Sequence, residues 1–137
     1  MIPKIFIDTN ILVYAMDRHD PMKREICRSI LRSISNSNCG VISTQVIQEF
    51  YVTATKKLGI GEIVAKDIIH SFSMFETIVI TPELIDRAID CQILNRLSFW
   101  DALIMATAES AICEKIWTED MNHGQVIHGV RIVNPFL

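Results

Sequence analysis

The sequence predicts an α/β protein with a mostly parallel central sheet of four to five strands, flanked by helices on both faces. Short segments rich in β-branched or aromatic residues recur at residues 4–7, 41–43, 77–80, 115–118 and 130–133. The stretches between the first four segments are long enough to hold the helix that a parallel crossover needs. A chain of 137 residues has the usual size of one domain, so we expect a single domain over residues 1–137.

Helix start signals and apolar stripes occupy the first half of the chain between these strands. Asp8 can cap a short helix over residues 10–16, and Asp20 with Pro21 predicts the start of a long helix that ends near residues 36–40. Thr44 is predicted to cap the next helix, which stops at Gly59. The apolar positions expected to be buried on the two long helices are Ile26, Cys27, Ile30, Leu31 and Ile34, then Ile47, Phe50, Tyr51, Ala54 and Leu58.

The second half of the chain predicts three more helices. One lies near residues 62–75, the next starts at Thr81 and Pro82, and Ser98 opens the most apolar helix of the chain. Because that last helix is apolar on most of its circumference, we expect it to be central. The positions expected to be buried on the other two helices are Val64, Ile68, Ile69 and Phe72, then Ile85, Ala88, Ile89 and Ile93.

Composition sets the broad class of the protein. Half of the residues are apolar and 21% are charged, with only 5 Gly and 4 Pro, so no disordered linker is expected. Asp8 comes too early for a signal peptide, and no apolar run approaches the ~20 residues of a membrane span. We therefore expect a cytoplasmic protein.

The cysteines are predicted to be buried free thiols, because none lies two to four residues from another and no secretory context favours disulfides. They are Cys27, Cys39, Cys91 and Cys113. A zinc site built from Cys113, His123 and His128 is a weaker alternative, since the tight paired spacings of structural zinc sites are missing.

Four acidic residues follow predicted strands or open predicted helices. Asp8 follows the first strand, and Asp120 lies within two residues of the end of the fourth. Glu49 lies just over one turn into its helix, and Asp101 is in the first turn of the central helix. Open parallel sheets bind ligands outside the carboxyl ends of their strands, so the fold can gather all four side chains there. Crowded carboxylates repel and a hard cation offsets the repulsion, which predicts a Mg²⁺ or Mn²⁺ site and chemistry on phosphate.

Each of these acids also has an ordinary structural explanation. Asp101 can be the third residue of a capping box begun by Ser98, Asp8 can cap a helix, and Asp120 can start a turn. Glu49 can be a solvated helix residue. Four acids together at one sheet edge favour a site. Gly-rich phosphate loops and a Gly-x-Ser-x-Gly elbow are absent from the sequence, so nucleotide cradling and serine hydrolysis are not supported.

The net charge of −3 conceals a nearly neutral surface outside the candidate site. Removing the four acids from the 16 acidic residues leaves 12, against 13 basic residues. Arg24, Arg28 and Arg32 recur every four residues, a stripe that can follow a nucleic-acid backbone. A solvated helix face is the alternative explanation of the stripe.

At these residues the chain resembles the PIN-domain ribonucleases, in particular the VapC-like toxins of type II toxin–antitoxin systems. The resemblance covers nearly the whole chain and depends on the order and spacing of four motifs. The motifs are Ile7-Asp8-Thr9-Asn10, Gln48-Glu49-Phe50, Phe99-Trp100-Asp101-Ala102 and Trp117-Thr118-Glu119-Asp120. The resemblance implies a PIN-like fold and metal-dependent hydrolysis of phosphodiester bonds in RNA.

The resemblance also assigns roles to the four acids. Asp8, Asp101 and Asp120 would hold Mg²⁺ or Mn²⁺, and Glu49 would orient the attacking water or bind the cation through it. Whether Glu119 joins the site is left open.

Supporting residues and partners follow from the same resemblance. Asn10 and Thr118 would hydrogen-bond the ligating carboxylates. The family implies a homodimer and a small antitoxin protein whose tail occupies the acidic groove. Two alternatives stay open: a PIN fold that binds RNA or protein without cutting, and a metal-dependent phosphohydrolase of small substrates.

Overall fold

A computed structural model describes residues 2–137 and shows a six-stranded, mostly parallel sheet. In chain order the strands are β1 (Lys4–Ile7), β2 (Gly40–Ser43), β3 (Glu76–Ile78), β4 (Cys113–Trp117), β5 (Val126–Ile127) and β6 (Val130–Val133). They lie in the order β3-β2-β1-β4-β6-β5, and among the described residues only the β5–β6 pair is antiparallel. The predicted α/β class and parallel sheet are confirmed, with one strand more than expected.

Within residues 2–137, six α-helices connect the strands. They are α1 (Thr9–Tyr14), α2 (Pro21–Ser37), α3 (Thr44–Lys56), α4 (Glu62–Ser71), α5 (Pro82–Asn95) and α6 (Phe99–Ser110), and a 3₁₀ turn, Phe72–Met74, follows α4. The predicted caps Asp20, Thr81 and Ser98 each accept a hydrogen bond from a backbone N–H of the first helical turn.

The predicted cap of α3 is wrong by one residue. Ser43, the last residue of β2, caps this helix, and its Oγ accepts from Val46 N at 3.3 Å. Thr44 is the first helical residue, and its Oγ1 instead accepts from Ile80 N at 3.1 Å. Both hydroxyls suit a cap, and the strand pairing of β2 decides which residue still has extended backbone.

The helix α6 lies at the centre, as predicted. Its residues 102–108 are all buried, and it packs against α5, β4 and β6. The predicted stripes of α2 and α3 are buried or half-buried, and all four cysteines are buried.

The predicted burial of α5 is wrong for three of its four apolar positions. Ala88 is buried against Leu103 and Ala106 of α6, but Ile85, Ile89 and Ile93 are 40%, 43% and 70% exposed. On α4 Val64 is likewise exposed, whereas Ile68 and Ile69 are half-buried and Phe72, in the 3₁₀ turn, is buried. A helical repeat shows that a face is apolar, and it does not show whether a neighbouring element covers that face.

The strand order places a topological switch point between β1 and β4. From β1 the chain moves outward through β2 and β3, then returns to the other side of β1 with β4 and β6. The crossovers therefore diverge at the carboxyl ends of β1 and β4, which opens a crevice there. No helix among residues 2–137 is long and apolar enough to span a membrane.

Candidate active site

The structure brings Asp8, Glu49, Asp101 and Asp120 to one cleft of about 660 Å³ at this switch point. Asp8 directly follows β1, and Asp120 lies three residues beyond the end of β4. The other two come from helices, Glu49 from the second turn of α3 and Asp101 from the first turn of α6. Strand ends and helix starts from four separate parts of the chain therefore present carboxylates to the same space.

Asp8 is the most buried of the four acids, with 6% of its surface exposed. Its Oδ1 accepts from Thr9 N at 2.7 Å and caps α1, and its Oδ2 accepts from Thr118 Oγ1 at 2.7 Å. Burial raises the pKa of Asp8 to about 7 even though these hydrogen bonds oppose the rise. The nearby carboxylates of Asp120 and Glu49 raise it further. Asp8 is therefore only partly ionised at neutral pH unless a cation offsets its charge.

Asn10 and Thr118 link the carboxylates that follow β1 and β4. Asn10 Nδ2 lies 3.3 Å from Asp8 Oδ2 and 3.1 Å from Asp120 Oδ2. Thr118 Oγ1, which donates to Asp8, accepts from Asp120 N at 3.1 Å and lies 3.2 Å from Asn10 Nδ2. The amide oxygen of Asn10 also accepts from Glu119 N at 3.2 Å. This network fixes Asp8 and Asp120 relative to each other.

Glu49 and Asp101 are held from the helices. Thr9 Oγ1 donates to Glu49 Oε1 at 2.8 Å, which joins the second turn of α3 to the start of α1. Ser98 Oγ accepts from Asp101 N at 3.1 Å, so the cap of α6 also sets the position of this acid. Burial, with a further contribution from the Asp120 carboxylate, raises the pKa of Asp101 although the Ser98 hydroxyl lowers it.

Glu119 lines the cleft, but its carboxylate is already paired. It accepts from Tyr14 OH at 2.7 Å and forms an ion pair with Lys23 Nζ. Lys23 Nζ also lies 4.7 Å from the ring centre of Tyr14 and 4.8 Å from that of Phe136. Burial alone would raise the pKa of Glu119, but the hydrogen bonds from Lys23 and Tyr14 outweigh it and lower the pKa. Glu119 thus anchors the segment that carries Asp120.

Gln45 and Trp100 also line the cleft, and neither was predicted from the sequence. Gln45 is 5% exposed, and its Nε2 donates to the carbonyl oxygen of Trp100 at 3.4 Å. Its Oε1 is buried with no donor among residues 2–137. Trp100, the neighbour of Asp101 in sequence, is 61% exposed. The signal available in the sequence was their position close to the motif acids.

The donor set of the cleft fits a hard divalent cation that keeps much of its water. Within the described range, no three His, Cys, Asp or Glu side chains lie close enough together to hold a metal ion by themselves. The cleft offers carboxylate oxygens and the Oε1 of Gln45, which has no donor in the described part of the chain, and Mg²⁺ and Mn²⁺ prefer such oxygen ligands. Mg²⁺ usually takes only one or two protein carboxylates, so an open arrangement suits it better than a cage would.

The predicted arginine stripe divides between two environments. Arg24 and Arg28 line a second pocket of about 450 Å³ beside the cleft. Arg28 Nε donates to the carbonyl oxygen of Ala15 at 2.8 Å. Arg32 is exposed on α2 and lines neither the cleft nor this pocket.

The residues of the alternative zinc pattern have other partners. His123 Nδ1 accepts from Asn134 N at 3.0 Å, and His128 Nδ1 lies 2.8 Å from Glu109 Oε2. Burial raises the pKa of the Cys113 thiol to about 12, which disfavours the thiolate that zinc requires. The structure does not support a site built from these three residues.

The parallel sheet with an acidic cleft at its switch point defines a class of α/β domains. The family model of the PIN domain matches residues 5–127. The chain therefore belongs to the PIN-domain family, and this part of the expected resemblance is confirmed. Among curated proteins, none matches the chain.

Solved structures share the fold over most of the chain. VapC20 of Mycobacterium tuberculosis, a toxin that cleaves the sarcin-ricin loop, is 18% identical, with 85% of this chain and 92% of that chain covered and a TM-score of 0.71. A toxin–antitoxin complex from Klebsiella pneumoniae is 24% identical, with 96% and 98% covered and a TM-score of 0.72. DNA-bound VapBC from Salmonella typhimurium is 19% identical, with 96% and 97% covered and a TM-score of 0.69. At these identities the similarity establishes the fold.

Proposed function

We propose that this chain is a Mg²⁺-dependent endoribonuclease of the VapC type, which hydrolyses phosphodiester bonds in RNA. The observation that carries the proposal is the meeting of Asp8, Glu49, Asp101 and Asp120 in one cleft of a PIN domain. Carboxylates brought together in one cleft repel one another, and a bound cation is the best explanation of such an arrangement.

The four acids would have different roles in the reaction. Asp8, Asp101 and Asp120 would hold Mg²⁺ or Mn²⁺, which when bound polarises a phosphate and lowers the pKa of a coordinated water. Glu49, which accepts a hydrogen bond from the hydroxyl of Thr9, would accept a hydrogen bond or a proton from the attacking water.

Supporting residues orient these acids and the substrate. Asn10 and Thr118 hold the carboxylates of Asp8 and Asp120 in register. Gln45 Oε1, which is buried and has no donor among residues 2–137, would accept a hydrogen bond from a water in the cleft. The exposed ring of Trp100 offers a stacking surface for an unpaired base next to the scissile phosphate, which is how proteins commonly hold single-stranded RNA.

The proposal includes two protein partners and a cytoplasmic location. The solved structures with this fold include toxin–antitoxin complexes, which supports a small antitoxin as the partner that covers the acidic cleft. A homodimer is the second partner, and the exposed stripe Ile85, Ile89 and Ile93 on α5 is the surface we assign to it.

A nuclease assay on the purified chain separates this proposal from the two alternatives. We expect cleavage of single-stranded RNA in Mg²⁺ or Mn²⁺, and none in a chelator. Binding of RNA without cleavage in either metal would favour the non-catalytic module. Hydrolysis of small phosphate esters with intact RNA would favour the phosphohydrolase.

A further inference from the structure

We propose that a second pocket beside the acidic cleft binds a backbone phosphate of the RNA strand. This basic pocket is lined by Arg18, Arg24 and Arg28 and by the loop residues Gly59, Ile60 and Gly61. This inference rests on the proposed function, because the pocket would hold the part of the RNA that extends beyond the four carboxylates.

The arginines of the basic pocket carry charge that the described residues leave uncompensated. None of the three forms an ion pair with a carboxylate within residues 2–137. Arg24 Nε is buried with no acceptor there, an arrangement that buried donors rarely keep. Arg28 Nε is held by the carbonyl oxygen of Ala15, which fixes the guanidinium group and leaves its other donors available.

Among residues 2–137, Asp17 is the one residue with a side-chain carboxylate that lines the basic pocket, and this carboxylate already accepts a hydrogen bond. Asp17 Oδ1 accepts from His19 N at 2.9 Å and lies 3.2 Å from His19 Nδ1. Three guanidinium groups against a single aspartate leave the pocket positive. Planar guanidinium forks match phosphate oxygens well, so the chemistry favours a phosphate over a neutral ligand.

The start of α4 adds backbone donors to the same pocket. Gly61 caps this ten-residue helix and has no side chain to accept from the first turn. The free N–H groups of a helix start attract anions, and Gly61 and Val64 both line the pocket. The arginines and the start of α4, which has no side-chain cap, therefore offer hydrogen-bond donors to the same pocket.

The basic pocket is continuous with the acidic cleft. Asp17 and Leu58 line both, so they form the boundary between the two. An RNA strand whose scissile phosphate lies at the carboxylates can cross Leu58 and place a neighbouring phosphate among the arginines. Continuity with a site for RNA favours an RNA phosphate over the other anionic ligand of this size, an acidic peptide tail.

A pair of substitutions at Gly61 tests the inference without touching the arginines. A Cβ at Gly61 meets no atom within 4 Å, and its φ of −60° suits any residue. Asp and Asn cap helices about equally well, so Gly61→Asp and Gly61→Asn should be equally stable and differ mainly in charge. We expect Gly61→Asp to bind a fluorescent single-stranded oligoribonucleotide about tenfold more weakly than Gly61→Asn.

A second comparison uses the arginines themselves. The double variant Arg18→Gln with Arg24→Gln should weaken binding of the same RNA about tenfold, and it should reduce the log–log salt slope by about 0.7 for each phosphate that is no longer neutralised. Arg32→Gln, which removes an arginine of α2 outside the pocket, is the matched control and should change neither quantity. Thermal unfolding of each variant shows whether it remains folded.

All binding is measured in chelator, so the result does not depend on cleavage. Equal RNA affinity of the two Gly61 variants would overturn the inference. An unchanged salt slope in the double arginine variant would also overturn it, and so would a failure of the unmutated chain to bind RNA. Weakened binding of a polyglutamate peptide with RNA binding unchanged would assign the pocket to an acidic partner instead. Failure of the proposed function shows separately, as RNA bound through the pocket but left uncut in Mg²⁺.

Discussion

At the scale of single residues, the surroundings of Asp8 have opposing effects on its ionisation. It caps α1 and accepts from Thr118, and both contacts favour the ionised carboxylate. Burial and the neighbouring carboxylates favour the protonated form, and they raise the pKa to about 7. A bound cation would resolve the conflict, because it offsets both the burial and the repulsion.

This conflict predicts a pH-dependent effect of Asp8→Asn in metal-free protein. Since the pKa of Asp8 in the folded chain lies above its ordinary value of 3.8, protonated Asp8 stabilises the fold fully below pH ~3.8, and that stability disappears as the pH rises through about 7. The free energy of unfolding of Asp8→Asn, relative to the unmutated chain, should therefore increase from pH 4 to pH 8, by up to about 4 kcal/mol.

Denaturant unfolding in chelator at several pH values measures this difference. Asp90→Asn, which changes an exposed acid of α5, is the control and should show a much smaller change. A difference between Asp8→Asn and the unmutated chain that stays constant with pH would contradict the raised pKa of Asp8.

Some residue roles were readable from the sequence and others were not. Asn10 and Thr118 lie next to motif acids along the chain, so their contacts with Asp8 and Asp120 were expected. The partners of Glu119 were not predictable, because neither Tyr14 nor Lys23 belongs to one of the four motifs on which the family resemblance depends. The role of a polar side chain can be assigned only when the fold shows which residue it contacts.

At the scale of elements, the strands and helix starts were largely predicted, and the exceptions have physical causes. Alternating apolar strands and capped helices predicted β1 and β6 with the bounds that the structure shows. The missed strand β5 has only two residues and forms through a tight turn in which His128 and Gly129 both have positive φ. Such a short strand leaves no periodic signal in the sequence.

The connection between α6 and β4 predicts a stabilising substitution. Ile112 has a φ of 60°, a left-handed backbone conformation that is unfavourable for a β-branched residue. It is also 83% exposed, so packing of its side chain stabilises this conformation little. Ile112→Gly should raise the free energy of unfolding by about 1 kcal/mol.

Ile112→Ala provides the control for this substitution. Alanine removes the exposed side chain but keeps the Cβ that makes a positive φ unfavourable, so it should recover less than half of the gain. Both values come from denaturant unfolding at one pH. Equal stability of the glycine and alanine variants would show that backbone strain is not the cause.

At the scale of the whole molecule, the exposed apolar stripe predicts self-association. Ile85, Ile89 and Ile93 follow one another along α5 at intervals of four residues, and each is at least 40% exposed. We expect the chain to form a dimer through this stripe, and Ile89→Lys to convert it to a monomer in light scattering coupled to size exclusion.

Ile63→Lys is the matched control for this prediction. Ile63 lies on α4, is 80% exposed, and does not belong to the stripe, so its substitution should leave the dimer intact. A monomeric unmutated chain at tens of micromolar would exclude the assignment, and a dimer that survives Ile89→Lys would move the interface elsewhere.

The cleft itself depends on the order of the strands in the whole sheet. Because β1 and β4 are neighbours at the switch point, acids separated by more than a hundred residues meet across one crevice. The sequence predicted which acids would meet, since each follows a strand or opens a helix. It did not show the basic pocket, because Arg18, Arg24 and the start of α4 become neighbours only in the folded chain.

The rate of RNA cleavage by Asp101→Asn in Mg²⁺ tests most directly whether this cleft is the active site. The substitution keeps the size of a side chain that has a raised pKa and lines the cleft. We expect the rate to fall at least about a hundredfold, with an unchanged circular dichroism spectrum, while Asp90→Asn keeps full activity. Undiminished cleavage by folded Asp101→Asn would contradict the claim that this cleft is the active site.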